Sequence, residues 1–222
     1  MEREYQKVMT YIKEQIARGE IGLGDKLPTE RELAQTLLMG RYSIREAIRI
    51  MEALGMVESR QGSGNYLVTD MEKYLTQSME LMLVLNQIDY QQIGSLRRIM
   101  EGHAFECALE RMEDNQLETL RQILTNMKNS TGSARAKWDQ TFHDTILLSS
   151  QNKLLLNIMG SLSNVCSAQI EEVVLHATGE EWQRLLTIHE TILLSLETKD
   201  LLLGQKAIGE HYAIVSCPDC HG

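Results

Sequence analysis

Proline is nearly absent from this chain, with only Pro28 and Pro218 among 222 residues. A pyrrolidine ring removes a backbone donor and breaks a helix interior, so its scarcity leaves the region between them free for long helices. Long apolar runs are missing too. No stretch approaches the roughly 18 consecutive apolar residues of a membrane span, and the amino terminus, MEREYQK, is charged rather than signal-like. A cytoplasmic chain with no membrane partner is expected. Cysteine is sparse: Cys107 and Cys166 stand singly inside apolar helical patterns, which reads as buried free thiols rather than a disulfide. Cys217, Cys220 and His221 spell C-x-x-C-H, a haem-attachment pattern, but such haem belongs to exported proteins and the missing export signal argues against it. Strand-like alternation is lacking from Asp70 onward. With 43% hydrophobic and 24% charged residues, the composition excludes a disordered chain, and the length suits two ordinary domains.

Positive charge is also in deficit, and its distribution is informative. The net charge is −9; residues 1–70 hold ten Lys or Arg against eleven Asp or Glu, and residues 71–222 hold twelve against twenty. The acidic excess therefore belongs to the second part. A nearly neutral first part that meets DNA must gather its arginines on one face, and its affinity should be salt-sensitive.

That first part has a recognisable order. Gly24 to Val68 reads as two short helices, a turn, a third helix and a glycine-tipped β-ribbon. Leu27 and Pro28 precede Thr29, which caps a helix whose third position is Glu32, the spacing of a capping box. Leu33, Leu37 and Leu38 recur at helical spacing, and Met39 and Gly40 are expected to release the chain into a turn. The next helix is expected to start close to Ser43. Its entrance and one side carry Arg41, Arg45 and Arg49, while Ile44, Ala47, Ile48 and Met51 supply a buried side. Met56 to Ser59 and Asn65 to Thr69 read as strands around a tip containing Gly62 and Gly64. This order is that of a winged helix-turn-helix, for which double-stranded DNA is the expected partner.

Beyond Asp70 the periodicity is helical, as in Leu81, Val84, Leu85 and Ile88. Breaks near Asn86 to Tyr90, Asp114, Ser130 to Ser133, Ser149 to Asn152, Thr178 and Thr198 divide an all-α bundle into six or seven helices. Four residues in it form a candidate metal site. Asp139 and His143 are four apart and share a helix face. His189 and His211 lie eleven residues before and after Asp200, the expected N-cap of the last helix, and so stand at equal height in a helical hairpin. Three imidazoles and a carboxylate suit Zn²⁺, Ni²⁺ or Mn²⁺, and the sequence leaves the choice among them open. The alternative is that each histidine is an isolated packing residue. His103 and His176 read as packing or surface residues, and methionines such as Met79 and Met100 as core filling.

The pattern LPTEREL followed by GRYSIREAIRIMEALGMVESRQGSGNYLV resembles the N-terminal domain of the GntR family of bacterial transcription regulators over about residues 5–68. The resemblance implies DNA contacts from Arg31, Arg41, Ser43, Arg45, Gln61 and Gly62, with Arg45 on the recognition helix and Gly62 on the minor-groove wing. Gly40, Tyr42 and Ser43 depart from the usual residues around Arg41, which leaves the operator sequence open. LRRIMEGHAFECALERM, DQTFH and IHETILLSLETKDLLLGQKAIGEHY resemble the FCD ligand-binding domain of the FadR subgroup over about residues 75–215. That resemblance implies metal binding by Asp139, His143, His189 and His211, and an effector carboxylate held by Arg97. A salt bridge from Arg97 or Arg98 to Glu101 is the competing use of those arginines.

The expected organisation is a winged helix-turn-helix of three helices and a small β-hairpin at 1–69, a linker at 70–75, an all-helical effector- and metal-binding domain at 76–215, and a tail at 216–222. The expected function is transcription regulation through an operator, controlled by a small organic acid bound at the metal, with coupling through Thr69 to Tyr74. One recognition helix contacts few base pairs, so a homodimer on a palindromic site is expected. The alternatives are a regulator that responds to the metal itself and a metal-dependent hydrolase.

Overall fold

A computed structural model describes residues 4–68 and 71–215. Ten helices and a two-stranded antiparallel sheet occur among the described residues, and the chain separates into two compact units, Met1–Tyr74 and Leu75–Gly222.

In the first unit, α1 (Glu4–Ala17), α2 (Glu30–Thr36) and α3 (Arg41–Ala53) precede the hairpin of β1 (Val57–Arg60) and β2 (Gly64–Leu67). The stretch 24–68 thus contains two helices, not three; the third member is α1, upstream. Thr29 caps α2 in a full capping box, its own N–H bonding Glu32 Oε2 at 2.7 Å. Release from α2 does not use Gly40. Leu38 takes the left-handed conformation (φ 51) while 93% exposed, and Gly40, with extended backbone, is the N-cap of α3. The recognition helix therefore begins at Arg41, two residues earlier than expected. Its buried side is Ile44, Ala47, Ile48 and Met51, which join Val8, Ile12, Leu33 and Val57 in one core. The hairpin pairs Val57 with Leu67 and Arg60 with Gly64. Gly62 (φ 73) and Gly64 (φ 120) occupy backbone conformations that a Cβ disfavours, which lets the tip turn tightly.

α4 (Met71–Val84) begins inside the expected linker, so most of 70–75 is helical. The second unit continues with α5 (Tyr90–Arg111), α6 (Asp114–Asn129), α7 (Ala134–Leu148), α8 (Lys153–His176), α9 (Gly179–Thr198) and α10 (Leu201–Val215). Side-chain caps fix several starts: Asp89 and Thr178 form capping boxes with Gln92 and Glu181, and Asn152 caps α8. Lys199, left-handed at φ 55, ends α9, and Asp200 Oδ1 accepts from Leu203 N at 3.0 Å to start α10. The resulting α9–α10 hairpin packs on α5, and α7 packs on α5, α6 and α8. The main core runs through Phe105, Phe142, Ile146, Leu185, Ile192 and Ile208. No helix among the described residues is long and apolar enough to cross a membrane. Cys217, Cys220 and His221, like Thr69 and Asp70 of the expected coupling stretch, lie outside the described residues.

Candidate functional site

α7 presents Asp139 and His143 inward one turn apart, α9 presents His189, and α10 presents His211; all four are buried. The hairpin places the last two as equal spacing from its bend requires, with ring centroids 4.9 Å apart. Asp139 Oδ1 lies 3.0 Å from both His189 Nε2 and His211 Nε2. His143 Nε2 lies 3.2 Å from each of those two nitrogens and 3.9 Å from Asp139 Oδ1.

These separations suit a shared cation. Ligands about 2.1 Å from one ion stand about 3.0 Å apart at right angles and about 3.4 Å apart at the tetrahedral angle. The outward nitrogens supply a second argument. His189 Nδ1–H donates to Leu185 O at 2.7 Å, and His143 Nδ1–H donates to the Glu101 carboxylate. Each proton on Nδ1 leaves a lone pair on Nε2 of the neutral ring, so two lone pairs and a carboxylate oxygen face one point. Acceptors converge in this way around a cation or a proton. The set could hold a divalent metal through Asp139, His143, His189 and His211.

Without a metal, the electrostatics are divided. Burial opposes ionisation of Asp139, but the surrounding imidazoles, His211 first, outweigh it and hold its carboxyl well below the usual range. Burial also depresses His211, to about 4, helped by the neighbouring charge of His143. For His143 burial is overcome by Glu101, whose charge and hydrogen bond raise it.

A cavity of about 250 Å³ opens beside the cluster, walled by Asp139, His143, Arg97, Tyr212, Gln140 and Ser163 among others. Arg97 is only 7% exposed, its guanidinium lies 5.2 Å from the Tyr212 ring centroid, and its Nε has no hydrogen-bond partner among the described residues. Arg98, by contrast, is exposed. The competing salt bridge from Arg97 to Glu101 does not form among the described residues, because Glu101 is engaged elsewhere: it accepts from His143 and, at 2.6 Å, from the Tyr212 hydroxyl. Glu101 and Tyr212 are site residues that sequence reasoning missed. The available signal was the stripe Arg97, Glu101, Ala104, Phe105 and Ala108, which places two charges on a core-facing side of α5. His103 is exposed, near Glu106 and Cys107, and takes no part in the cluster.

In the first unit, Arg41, Arg45 and Arg49 are exposed along α3, Arg31 is exposed on α2, and Ser43 is half-buried in the first turn of α3. Arg45 is bonded to Glu30, with Nη2 2.9 Å from Oε2. Gln61 and Gly62 sit at the exposed wing tip, where Arg60 stacks 4.3 Å from the Tyr66 ring centroid.

The family described as "Bacterial regulatory proteins, gntR family" matches residues 4–67, and the FCD domain matches residues 92–213. The chain is 30% identical over 182 residues to the HTH-type transcriptional regulator LutR of Bacillus subtilis, covering 80% of this chain and 83% of that one. It is 27% identical over 214 residues to the Exu regulon transcriptional regulator of Escherichia coli K12, covering 94% and 81%. The fold matches the solved Streptococcus agalactiae GntR at a TM-score of 0.63 and 23% identity, over 96% of this chain and 97% of that one. The winged helix followed by the helical bundle therefore defines a DNA-binding transcription regulator rather than an enzyme. The chain belongs to the GntR family and carries the FCD domain of its FadR-like subgroup.

Proposed function

We propose that this regulator's operator affinity is controlled by a small carboxylate bound where Asp139, His143, His189 and His211 hold a divalent metal, with Arg97 as the carboxylate's second anchor. The observation that carries this reading is the buried Arg97, with its unpartnered Nε, in the wall of the same cavity as two of the four ligands. A bound Zn²⁺, Ni²⁺ or Mn²⁺ supplies a positive centre for one carboxylate oxygen. Arg97 supplies planar N–H donors to such a group, and the Tyr212 ring holds the guanidinium in place. That cavity also favours an organic effector over a regulator for which the ion alone is the signal.

On the DNA side, Arg31, Arg41, Ser43 and Arg45 form the proposed recognition face and Gln61 and Gly62 the proposed wing contact, acting from the cytoplasmic protein as a homodimer on a two-fold site. Glu30 then holds Arg45 in place until DNA takes it over, an exchange of one exposed ion pair for another.

Metal analysis of the purified protein, followed by a thermal-shift screen of small carboxylates on metal-loaded and chelated samples, tests the proposal. A ligand that binds only the folded state raises the melting temperature. Stabilisation by an acid should require both the metal and Arg97. Equal stabilisation of the chelated protein or of Arg97→Ala refutes it, and operator affinity switched by restored metal alone favours the metal-responsive alternative.

A further inference from the structure

The outward face of α3 is centred on an aromatic ring. Successive residues of an α-helix stand about 100° apart around its axis, so the buried set Ile44, Ala47, Ile48 and Met51 centres on a direction about 170° from Tyr42. Arg49 stands about 20° and Arg45 about 60° to one side of Tyr42, and Glu46 about 40° to the other. Tyr42 is the second residue of the helix, is 80% exposed, and has no hydrogen-bond or ring partner among the described residues. In a helix-turn-helix the first residues of the recognition helix enter the major groove and meet base edges. On the recognition face proposed above, on which this inference rests, Tyr42 therefore points at the bases, with the arginines beside it.

Its chemistry differs from theirs. An arginine reads guanine through paired N–H donors, and a tyrosine ring has no such fork. What the ring offers is apolar area, most of it in water in the free protein. The major groove presents one apolar group, the C5-methyl of thymine, and apolar side chains select thymine by packing on it. We infer that Tyr42 is a specificity-determining residue whose ring packs on a thymine methyl in each operator half-site. Selection lies in the ring, and the hydroxyl at its far end is left to water or a phosphate oxygen. Burial of one such group is worth about fourfold in affinity, equivalent to about 0.8 kcal/mol.

Selection from a random duplex pool by the full-length protein supplies a preferred duplex. Each thymine in it is then replaced singly by deoxyuridine, which removes only the methyl. Fluorescence anisotropy reads the affinity at low salt, where phosphate contacts keep weakened variants measurable. At one position of the half-site the replacement should weaken the parent by about fourfold. The same replacement should cost Tyr42→Ala less than about 1.5-fold, whereas Tyr42→Phe should show the parent's loss, a cycle that separates ring from hydroxyl. Tyr42 lies outside the core of the first unit, so both variants keep that core. A loss below about twofold at every thymine overturns the inference, as does a selected half-site without thymine. So does a loss that persists in Tyr42→Ala or vanishes in Tyr42→Phe. All of these leave DNA recognition by α3 standing; enrichment of no duplex over the random pool overturns that underlying reading as well.

Discussion

Replacing Glu101 by glutamine isolates the contribution of one buried carboxylate to the proposed metal ligands. Glu101 is fully buried on α5 and accepts two hydrogen bonds, from His143 Nδ1 and from Tyr212 Oη. Glutamine conserves the volume but offers one acceptor oxygen and one NH₂ group, so a donor must face a donor unless the tyrosine hydroxyl turns to accept. An unmet buried donor costs about 1–3 kcal/mol. For a unit of this size each kcal/mol lowers the melting temperature by about 3 °C, so a fall of about 3–9 °C is expected for the metal-free protein. The larger consequence falls on the metal. A carboxylate behind a ligating imidazole fixes its tautomer and raises its basicity, and loss of such a partner costs about 10- to 100-fold in metal affinity. Competition for zinc against a chromophoric chelator measures that change, and thermal unfolding followed by circular dichroism measures the stability. An affinity within about threefold of the parent would refute the argument, because Glu101 would then support packing without tuning His143.

Three further outcomes follow from the geometry. Arg45→Ala should weaken binding to the DNA upstream of the protein's own gene by about five- to hundredfold in a salt-varied titration; unchanged affinity would remove Arg45 from the recognition face. Gly204→Ala places a Cβ 2.0 Å from Phe105 Cζ, between α10 and α5. Overpacking of this kind costs about 1–3 kcal/mol, and an unaltered calorimetric melting temperature would contradict it. The metal-free protein should lose stability in acid because His211, depressed to about 4 from 6.5, must stay neutral when folded. The sign follows from linkage: the stabilisation is complete above pH 6.5 and is lost as pH falls towards about 4, to a limit of about 3 kcal/mol. Urea unfolding across that range should show the loss in the parent and a flatter profile in His211→Gln; identical profiles would exclude His211 as its source.

Local chemistry explains what was legible beforehand. The breaks between the bundle's helices were readable because Asp89, Asn152, Thr178 and Asp200 announce helix starts with side chains that cap. The meeting of His189 with His211 was readable because eleven residues make about three helical turns, which preserves both height and face on each arm of the hairpin. Where side chains carry no such announcement, reading failed. Gly40 caps α3 without a side chain, so the helix was placed two residues late, and Leu38 takes a left-handed conformation that favours glycine or asparagine. Glu101 was read as a helical neighbour of Arg97, but its partners are 42 and 111 residues away along the chain. Only the packing of α5 against α7 and α10 reveals that it serves His143 and Tyr212 instead.

α10 carries His211 and Tyr212 at consecutive positions, about 100° apart around the helix. The first belongs to the ligand cluster, and the second joins Glu101 to the face of Arg97. A rigid helix has no way to turn one of these side chains while leaving its neighbour still. Any roll of α10 about its axis would therefore be felt at once by the proposed metal ligands and by the guanidinium. A ligand held by both the proposed metal and Arg97 would thus engage α10 through two adjacent residues together.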